Sequence, residues 1–308
     1  MSFAFVFPGQ GSQKVGMMDD YREEEVVRDT FKEASAALQQ DLWTLAADGP
    51  ADALVLTENT QPLMLTADIA FWRLWKHKGG RQPSILAGHS LGEYAALVAS
   101  ETIELVDAVP LVRLRARAMQ EAVPPDVGGM AAIVGINADA VILGCSKAAD
   151  GDVVEAVNFN EPAQTIIAGN KAAVERAIEA CKAMGAKRAM PLPVSAPFHS
   201  SLMRPSVEKL AARLAEIELK PPQIPVVNNV DVAVESDPSR IRDALVRQAF
   251  HPVRWVEVMQ HISDSGAGTI VECGPGKVLT GLVKRCQPAC QGVALADPGA
   301  FVANHDLE

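Results

Sequence analysis

No apolar run in the chain reaches the roughly 18 residues that a membrane span needs. The opening Met1-Ser2-Phe3-Ala4-Phe5-Val6-Phe7-Pro8 has no basic stretch, and its apolar run is too short for a signal peptide. The five cysteines (Cys145, Cys181, Cys273, Cys286 and Cys290) are odd in number and include no C-x-x-C pair. Reduced thiols are therefore expected, and a zinc site is not. Basic residues are also scarce: Lys and Arg number 28 against 38 Asp and Glu, and the net charge of −10 argues against generic nucleic-acid binding. These absences predict a cytoplasmic protein with no metal, no membrane anchor and no nucleic-acid partner. The terminal Leu307-Glu308 could be a cloning scar and carries no argument.

What is present is a chain of 308 residues, 48% hydrophobic, long enough for one large domain or two smaller ones. Its most informative stretch is Gly88-His89-Ser90-Leu91-Gly92. An apolar run, Ser84-Ile85-Leu86-Ala87, precedes it, and the helical pattern Glu93-Tyr94-Ala95-Ala96-Leu97-Val98-Ala99 follows. Strand, sharp turn and helix with a serine at the apex form a nucleophile elbow. The flanking glycines are needed because the turn leaves no room for side chains. The Ser90 hydroxyl is lifted out at a helix N-terminus, where free N–H groups and the helix dipole favour a developing oxyanion. The reading is covalent acyl transfer.

Around the elbow, the chain alternates strands and helices. Residues 3–7 read as a buried strand and 8–13 as a loop; helical patterns run from about 20 to 40, 62 to 78 and 105 to 122. This pattern predicts a parallel sheet covered by helices. Pro124-Pro125-Asp126-Val127-Gly128-Gly129 interrupts it. Behind it come a strand (129–136), a helix (138–149), two strands (153–158 and 164–168), a helix (171–184) and a strand (187–194). The order β-α-β-β-α-β is ferredoxin-like. The expected fold is therefore α/β: a hydrolase-like parallel-sheet catalytic domain, residues 1–125 and 196–308, with a ferredoxin-like subdomain inserted at 126–195. The main domain continues with helices at 201–217, 238–250, 254–264 and 277–286 and strands at 225–229 and 268–273.

Two phosphate-binding patterns fail. After Gly9-Gln10-Gly11, the third glycine of a dinucleotide fingerprint falls at Lys14. Gly276-Lys277 could end a phosphate-binding loop, but Val271 stands where its first glycine belongs and Val278 replaces the Ser/Thr.

A serine nucleophile needs a base, and the chain has six histidines: His77, His89, His199, His251, His261 and His305. His89 lies in the elbow, with its side chain expected to point away from the hydroxyl. His199, in the loop between Pro197 and Ser200, is the candidate base, against the plainer reading of an ordinary loop histidine. On the helix 105–122, Arg115 falls in the middle of an apolar face formed by Ala108, Leu111, Ala118, Met119 and Ala122. Arg113 and Arg117 fall on the opposite, polar face. A buried guanidinium must find a partner. Either an internal acid or a substrate carboxylate could supply it. The backbone N–H groups of Gln10 and Leu91 are candidate oxyanion donors.

Several segments together identify a family resemblance: Phe5-Val6-Phe7-Pro8-Gly9-Gln10-Gly11-Ser12-Gln13, Thr60-Gln61-Pro62, Gly88-His89-Ser90-Leu91-Gly92-Glu93-Tyr94, Val157-Asn158-Phe159-Asn160, Ser195-Ala196-Pro197-Phe198-His199 and Glu272-Cys273-Gly274-Pro275-Gly276-Lys277-Val278-Leu279. In this order they resemble the malonyl-CoA:acyl-carrier-protein transacylases. The resemblance implies that Ser90 accepts a malonyl group from coenzyme A and that His199 is the base, held by a backbone carbonyl that falls at Gln248. It implies that Gln10 and Leu91 hold the oxyanion and that Arg115 binds the malonyl carboxylate. Gln61, Phe198, Met119, Asn160 and Gln248 are expected as supporting pocket residues. His251, just after Gln248, departs from the expected pattern, where a less titratable residue is usual.

The implied reaction is ping-pong transfer of malonyl from malonyl-CoA to the phosphopantetheine thiol of holo acyl carrier protein, for fatty-acid biosynthesis. The implied enzyme is a monomer without a cofactor. A carrier protein is itself acidic, so a local basic patch must offset net repulsion; Lys187, Arg188, Lys284 and Arg285 are candidates. A malonate decarboxylase subunit or a polyketide acyltransferase shares these features. A plain esterase does not need Arg115, and a silent carrier-binding protein does not need Ser90, His199 and Arg115 together.

Overall fold

Strict alternation in the first strand decides where the core lies. Phe3, Phe5 and Phe7 point to one side of the sheet and join the larger hydrophobic cluster, while Ala4 and Val6 point to the other and join a second one. The computed structural model describes residues 2–194, 196–304 and 307. Ser195 of the return segment, His305 and Glu308 lie outside the described residues.

The strands are β1 (Ser2–Phe7), β2 (Ile85–Gly88), β3 (Gly128–Val134), β4 (Val154–Glu161), β5 (Gln164–Asn170), β6 (Arg188–Pro191), β7 (Val226–Val227), β8 (Ala267–Glu272) and β9 (Gln291–Ala294). Five of them form one sheet in the order β7-β2-β1-β8-β9, and every pairing in it is parallel. Helices cover both faces, Thr57–His77 and Leu105–Glu121 among them on the side of the three phenylalanines. The other four strands form an antiparallel sheet in the order β4-β5-β3-β6. With helices Ala138–Ala148 and Lys171–Ala183 between its strands, this sheet has the β-α-β-β-α-β order expected from the sequence. The chain is thus α/β, with a parallel sheet and a separate antiparallel one.

Some boundaries differ from expectation, for identifiable reasons. The pattern at 20–40 splits into a 3-10 turn, Asp19–Tyr21, and a helix, Glu25–Leu38, which Gln39 ends in a left-handed conformation with φ 53°. The pattern at 201–217 likewise splits at Pro205 into a 3-10 segment, Ser201–Ser206, and a helix, Val207–Glu216. The helix expected from residue 62 begins at Thr57, so Pro62 lies inside it. Proline has no N–H for the carbonyl four residues back, that of Glu58. Arg113 Nε donates to that Glu58 carbonyl at 3.0 Å.

This bond corrects the reading of Arg113 as a residue of the polar face. Its side chain is half-buried and also donates to Gln40. Arg113→Ala leaves those acceptors unpaired and is expected to cost about 1–3 kcal/mol of stability. Thermal unfolding of the variant checks this, and an unchanged melting temperature counts against it.

Candidate active site

Close backbone approach makes the elbow possible. A Cβ on Gly88 would lie 1.9 Å from the backbone of Gly92, and one on Gly92 would lie 2.0 Å from the Phe7 carbonyl oxygen. β2 runs directly into this turn, and helix Gly92–Ala99 leaves it. Ser90 itself adopts φ 53°, and His199 adopts φ 65°. Both are left-handed conformations that non-glycine residues enter at a cost, and both point a functional side chain into one cavity.

The Ser90 Oγ lies 2.7 Å from His199 Nε2. His199 Nδ1 lies 2.8 Å from the backbone carbonyl oxygen of Gln248, which can only accept a hydrogen bond. The proton of a neutral imidazole is therefore on Nδ1, and Nε2 is free to accept from the serine hydroxyl. Burial, and next the charge of Arg115, push the His199 pKa down to about 3. The base is thus held neutral and ready. The N–H groups of Gln10 and Leu91 donate to no group among the described residues, and both residues line the cavity. They are available to an oxyanion. The Gln10 side chain accepts from Thr57 Oγ1 at 2.9 Å.

Arg115 is 2% exposed, as its place on the apolar face predicts. It has no carboxylate partner among the described residues. Its Nη1 donates to Gln61 Oε1 at 2.7 Å, and its Nη2 to Gln248 Oε1 at 3.0 Å and to Ser90 Oγ at 3.2 Å. The Tyr94 ring lies 5.4 Å from the guanidinium carbon. Burial holds the Arg115 pKa below its usual value. The alternative of an internal salt bridge is thus not what this buried cation uses. Two neutral carboxamide oxygens hold it and leave its charge uncancelled beside the nucleophile.

The cavity measures about 240 Å³ and lies between the two sheets. Met130 of β3 and Ile166 of β5 line one side, and Ser90, Arg115, Gln61 and Met119 the other. Phe198 and Asn160 also border it, while Gln248 stands behind His199. His89 turns toward Asn160, with Nε2 2.8 Å from Oδ1, and packs edge-on against Trp255. Of the expected basic surface residues, Arg285 is paired with Glu161 at 2.7 Å.

Two residues here were not singled out in the sequence. The Asn229 carboxamide accepts from the Ser90 N–H at 2.7 Å and donates to the Gly88 carbonyl at 2.8 Å, clasping the elbow from both sides of the nucleophile. The buried Glu93 carboxylate accepts from Asn229 N and from Gln248 Nε2, each at 2.9 Å. Burial raises its pKa to about 7, against the lowering pull of those two bonds and of Arg115. Only a short sequence clue existed: an acid in the first turn of an otherwise apolar helix.

An elbow serine, a neutral histidine against it and a parallel α/β sheet beneath them are the architecture of an acyltransferase, and the acyl transferase domain family matches residues 4–296. Malonyl CoA-acyl carrier protein transacylase of Salmonella typhimurium is 53% identical over 98% of each chain, and that of Escherichia coli (strain K12) is 53% identical over 99% of each. The crystal structure of acyl-carrier-protein S-malonyltransferase from Burkholderia pseudomallei 1710b is 59% identical and superposes with a TM-score of 0.98, covering 100% of both chains. A type II PKS acyl-carrier protein in complex with its malonyl-transacylase gives 49% identity and a TM-score of 0.98 over 100% of both chains. The chain belongs to the malonyl CoA-acyl carrier protein transacylase family.

Proposed function

We propose that this enzyme moves a malonyl group from malonyl-CoA to the phosphopantetheine thiol of holo acyl carrier protein through a malonyl ester of Ser90. The observation that carries it is the buried, carboxylate-free Arg115 guanidinium 3.2 Å from the Ser90 hydroxyl oxygen. In the first half-reaction, Ser90 Oγ attacks the thioester carbonyl and gives its proton to His199 Nε2. The Gln10 and Leu91 N–H groups hold the oxyanion. The C–S bond breaks, and the thiolate of coenzyme A takes the proton from His199. In the second half-reaction, the carrier thiol gives its proton to His199 and attacks the ester carbonyl. The C–O bond to Ser90 breaks, and the serine oxygen takes the proton back. Throughout, Arg115 pairs with the malonyl carboxylate. The chemistry calls for no metal or cofactor.

Residues 126–195 act in this reading as an inserted subdomain that supplies the far wall of the cavity. The enzyme works as a cytoplasmic monomer that feeds fatty-acid synthesis. No helix among the described residues is long and apolar enough to cross a membrane, in keeping with that place. The relative bound to a type II PKS carrier favours a polyketide carrier as the second reading.

Intact-protein mass spectrometry after incubation with malonyl-CoA tests the proposal. One malonyl adduct is expected on the wild type and none on Ser90→Ala. The adduct should leave when holo carrier protein is added, and comparing fatty-acid with polyketide carriers separates the two readings. An equal adduct on the alanine variant overturns the serine ester.

A further inference from the structure

We propose that Glu93 is a positioning residue for recognition of the acyl carboxylate: by accepting Gln248 Nε2, it obliges the Gln248 carboxamide to present Oε1 to Arg115. The proposal rests on the reading of Arg115 as the carboxylate-binding residue.

A primary amide has a donor end and an acceptor end, and rotation by half a turn exchanges them. At Gln248 the two orientations are not equivalent. With Oε1 toward Arg115, the guanidinium has an acceptor at 3.0 Å. With Nε2 there instead, donor would face donor, and the guanidinium would be driven from its place. Arg115, which can only donate, favours the first orientation from one side. From the other side the orientation is held chiefly by Glu93. Its carboxylate Oε2 is fixed by the Asn229 N–H at 2.9 Å and accepts Gln248 Nε2 at 2.9 Å. The second hydrogen on Nε2 goes to the Ser90 carbonyl at 3.0 Å. Both acceptors lie on the side of Gln248 away from Arg115, so the amide end is held there and the oxygen end faces the guanidinium.

Gln61 repeats the device on the other side of the arginine. Its Nε2 lies 3.2 Å from Thr57 Oγ1, and its Oε1 accepts Arg115 Nη1 at 2.7 Å. The guanidinium is therefore gripped by two oriented amides. Glu93 remains one side chain removed from it. A carboxylate in direct contact would pair with Arg115 and compete with a substrate carboxylate. Set back behind Gln248, Glu93 fixes the geometry without occupying the position the acyl carboxylate takes. His199 is held separately, by the backbone carbonyl of Gln248. Loss of Glu93 thus strikes acyl selection more than proton transfer.

The test measures kcat/KM for Ser90 acylation by malonyl-CoA and by acetyl-CoA in wild type and in Glu93→Ala, Glu93→Asp and Glu93→Gln. Glu93→Ala is expected to lower the malonyl-to-acetyl ratio by about tenfold or more, the scale of a lost buried hydrogen bond to a charged group. Acetyl transfer should fall through the Asn229 N–H that Glu93 also holds, but by much less than malonyl transfer, since the base keeps its own support. Glu93→Gln can accept both N–H groups through its Oε1 and should keep most of the ratio. Glu93→Asp draws the carboxylate back by one methylene and should lose it, and it serves in place of the alanine variant if that one does not fold. Malonyl and acetyl rates falling together, or a ratio unchanged in both Glu93→Ala and Glu93→Asp, overturn the proposal. So does Glu93→Gln losing as much as Glu93→Ala. A wild-type enzyme that shows no preference for malonyl overturns the function of Arg115 itself, whatever the Glu93 variants do.

Discussion

His199→Ala is expected to slow both acylation of Ser90 and its release to the carrier thiol by about 10²–10⁴-fold, the usual worth of a positioned general acid–base. Both halves suffer because the same nitrogen, 2.7 Å from the Ser90 Oγ, takes a proton in one step and returns it in the next. The structure also moves the pH at which the base fails. A histidine at its ordinary pKa loses competence as pH falls through about 6.5. His199 is buried and faces Arg115, and both push its pKa down, to about 3. The folded protein therefore keeps the neutral, competent form well below pH 6.5. The acylation kcat/KM, which reports groups of the free enzyme, should show no loss of the base from pH 8 to pH 5, and any limb near 7 belongs to the buried Glu93, whose pKa is raised to about 7. When the malonyl carboxylate offsets Arg115, the second of those causes is removed. The acid limb of kcat should then lie above that of kcat/KM. Single-turnover acylation across this range, followed by mass, checks both points. A limb near 6.5 that persists in Glu93→Gln means that His199 keeps its ordinary pKa, and near-normal acylation in His199→Ala means that another group is the base.

The site was legible in the sequence wherever a local rule leaves a local trace. The elbow is local: Gly88 and Gly92 are demanded because a Cβ at either would lie only 1.9 or 2.0 Å from neighbouring backbone atoms, and the spacing shows them. Arg115 was visible because a charge on the apolar face of a 17-residue helix breaks a period long enough to measure. Its partners Gln61 and Gln248 left no such local trace, because they arrive from 54 and 133 positions away, and only the family resemblance brought them in as pocket residues. The same distance hid Asn229, which reaches the elbow from a loop after β7. The helices Leu42–Asp48 and Ala51–Leu54 were missed since seven and four residues carry too little periodicity. The strand β9 and the helix Pro298–Ala303 went unseen for the same reason of length. The early start of Thr57–His77 was concealed by Pro62, whose cost Arg113 offsets from another helix. Arg113 and Arg117 look alike in a helical projection. Only tertiary contact separates them, one tied to the Glu58 carbonyl and one paired with the Glu58 carboxylate at the surface.

That separation sets the controls for the prediction that bears most on substrate choice. Arg115→Ala is expected to cost about 2–5 kcal/mol in kcat/KM for malonyl-CoA, as for other desolvated charge pairs. Acetyl-CoA has no carboxylate to pair, so its kcat/KM should hold or rise. A rise has a physical source, for removing the cation relieves its pressure on His199 and makes the base stronger. Arg115→Lys should rescue only in part. An ammonium is a point charge that cannot take up the Gln61 and Gln248 oxygens and a substrate carboxylate in one plane. Arg117→Ala, exposed and, among the described residues, paired with Glu58 alone, is the fitting control and should be nearly silent. Arg113→Ala is not a control for stability, although its malonyl-to-acetyl ratio should stay that of the wild type. Truncating Arg115 also leaves two buried carboxamide oxygens unpaired, which lowers stability by about 1–3 kcal/mol. The ratio of the two acyl substrates is therefore the decisive reading, since a loss of folded enzyme lowers both rates equally. If malonyl and acetyl rates fall together in Arg115→Ala, the guanidinium holds its helix in place and selects no substrate.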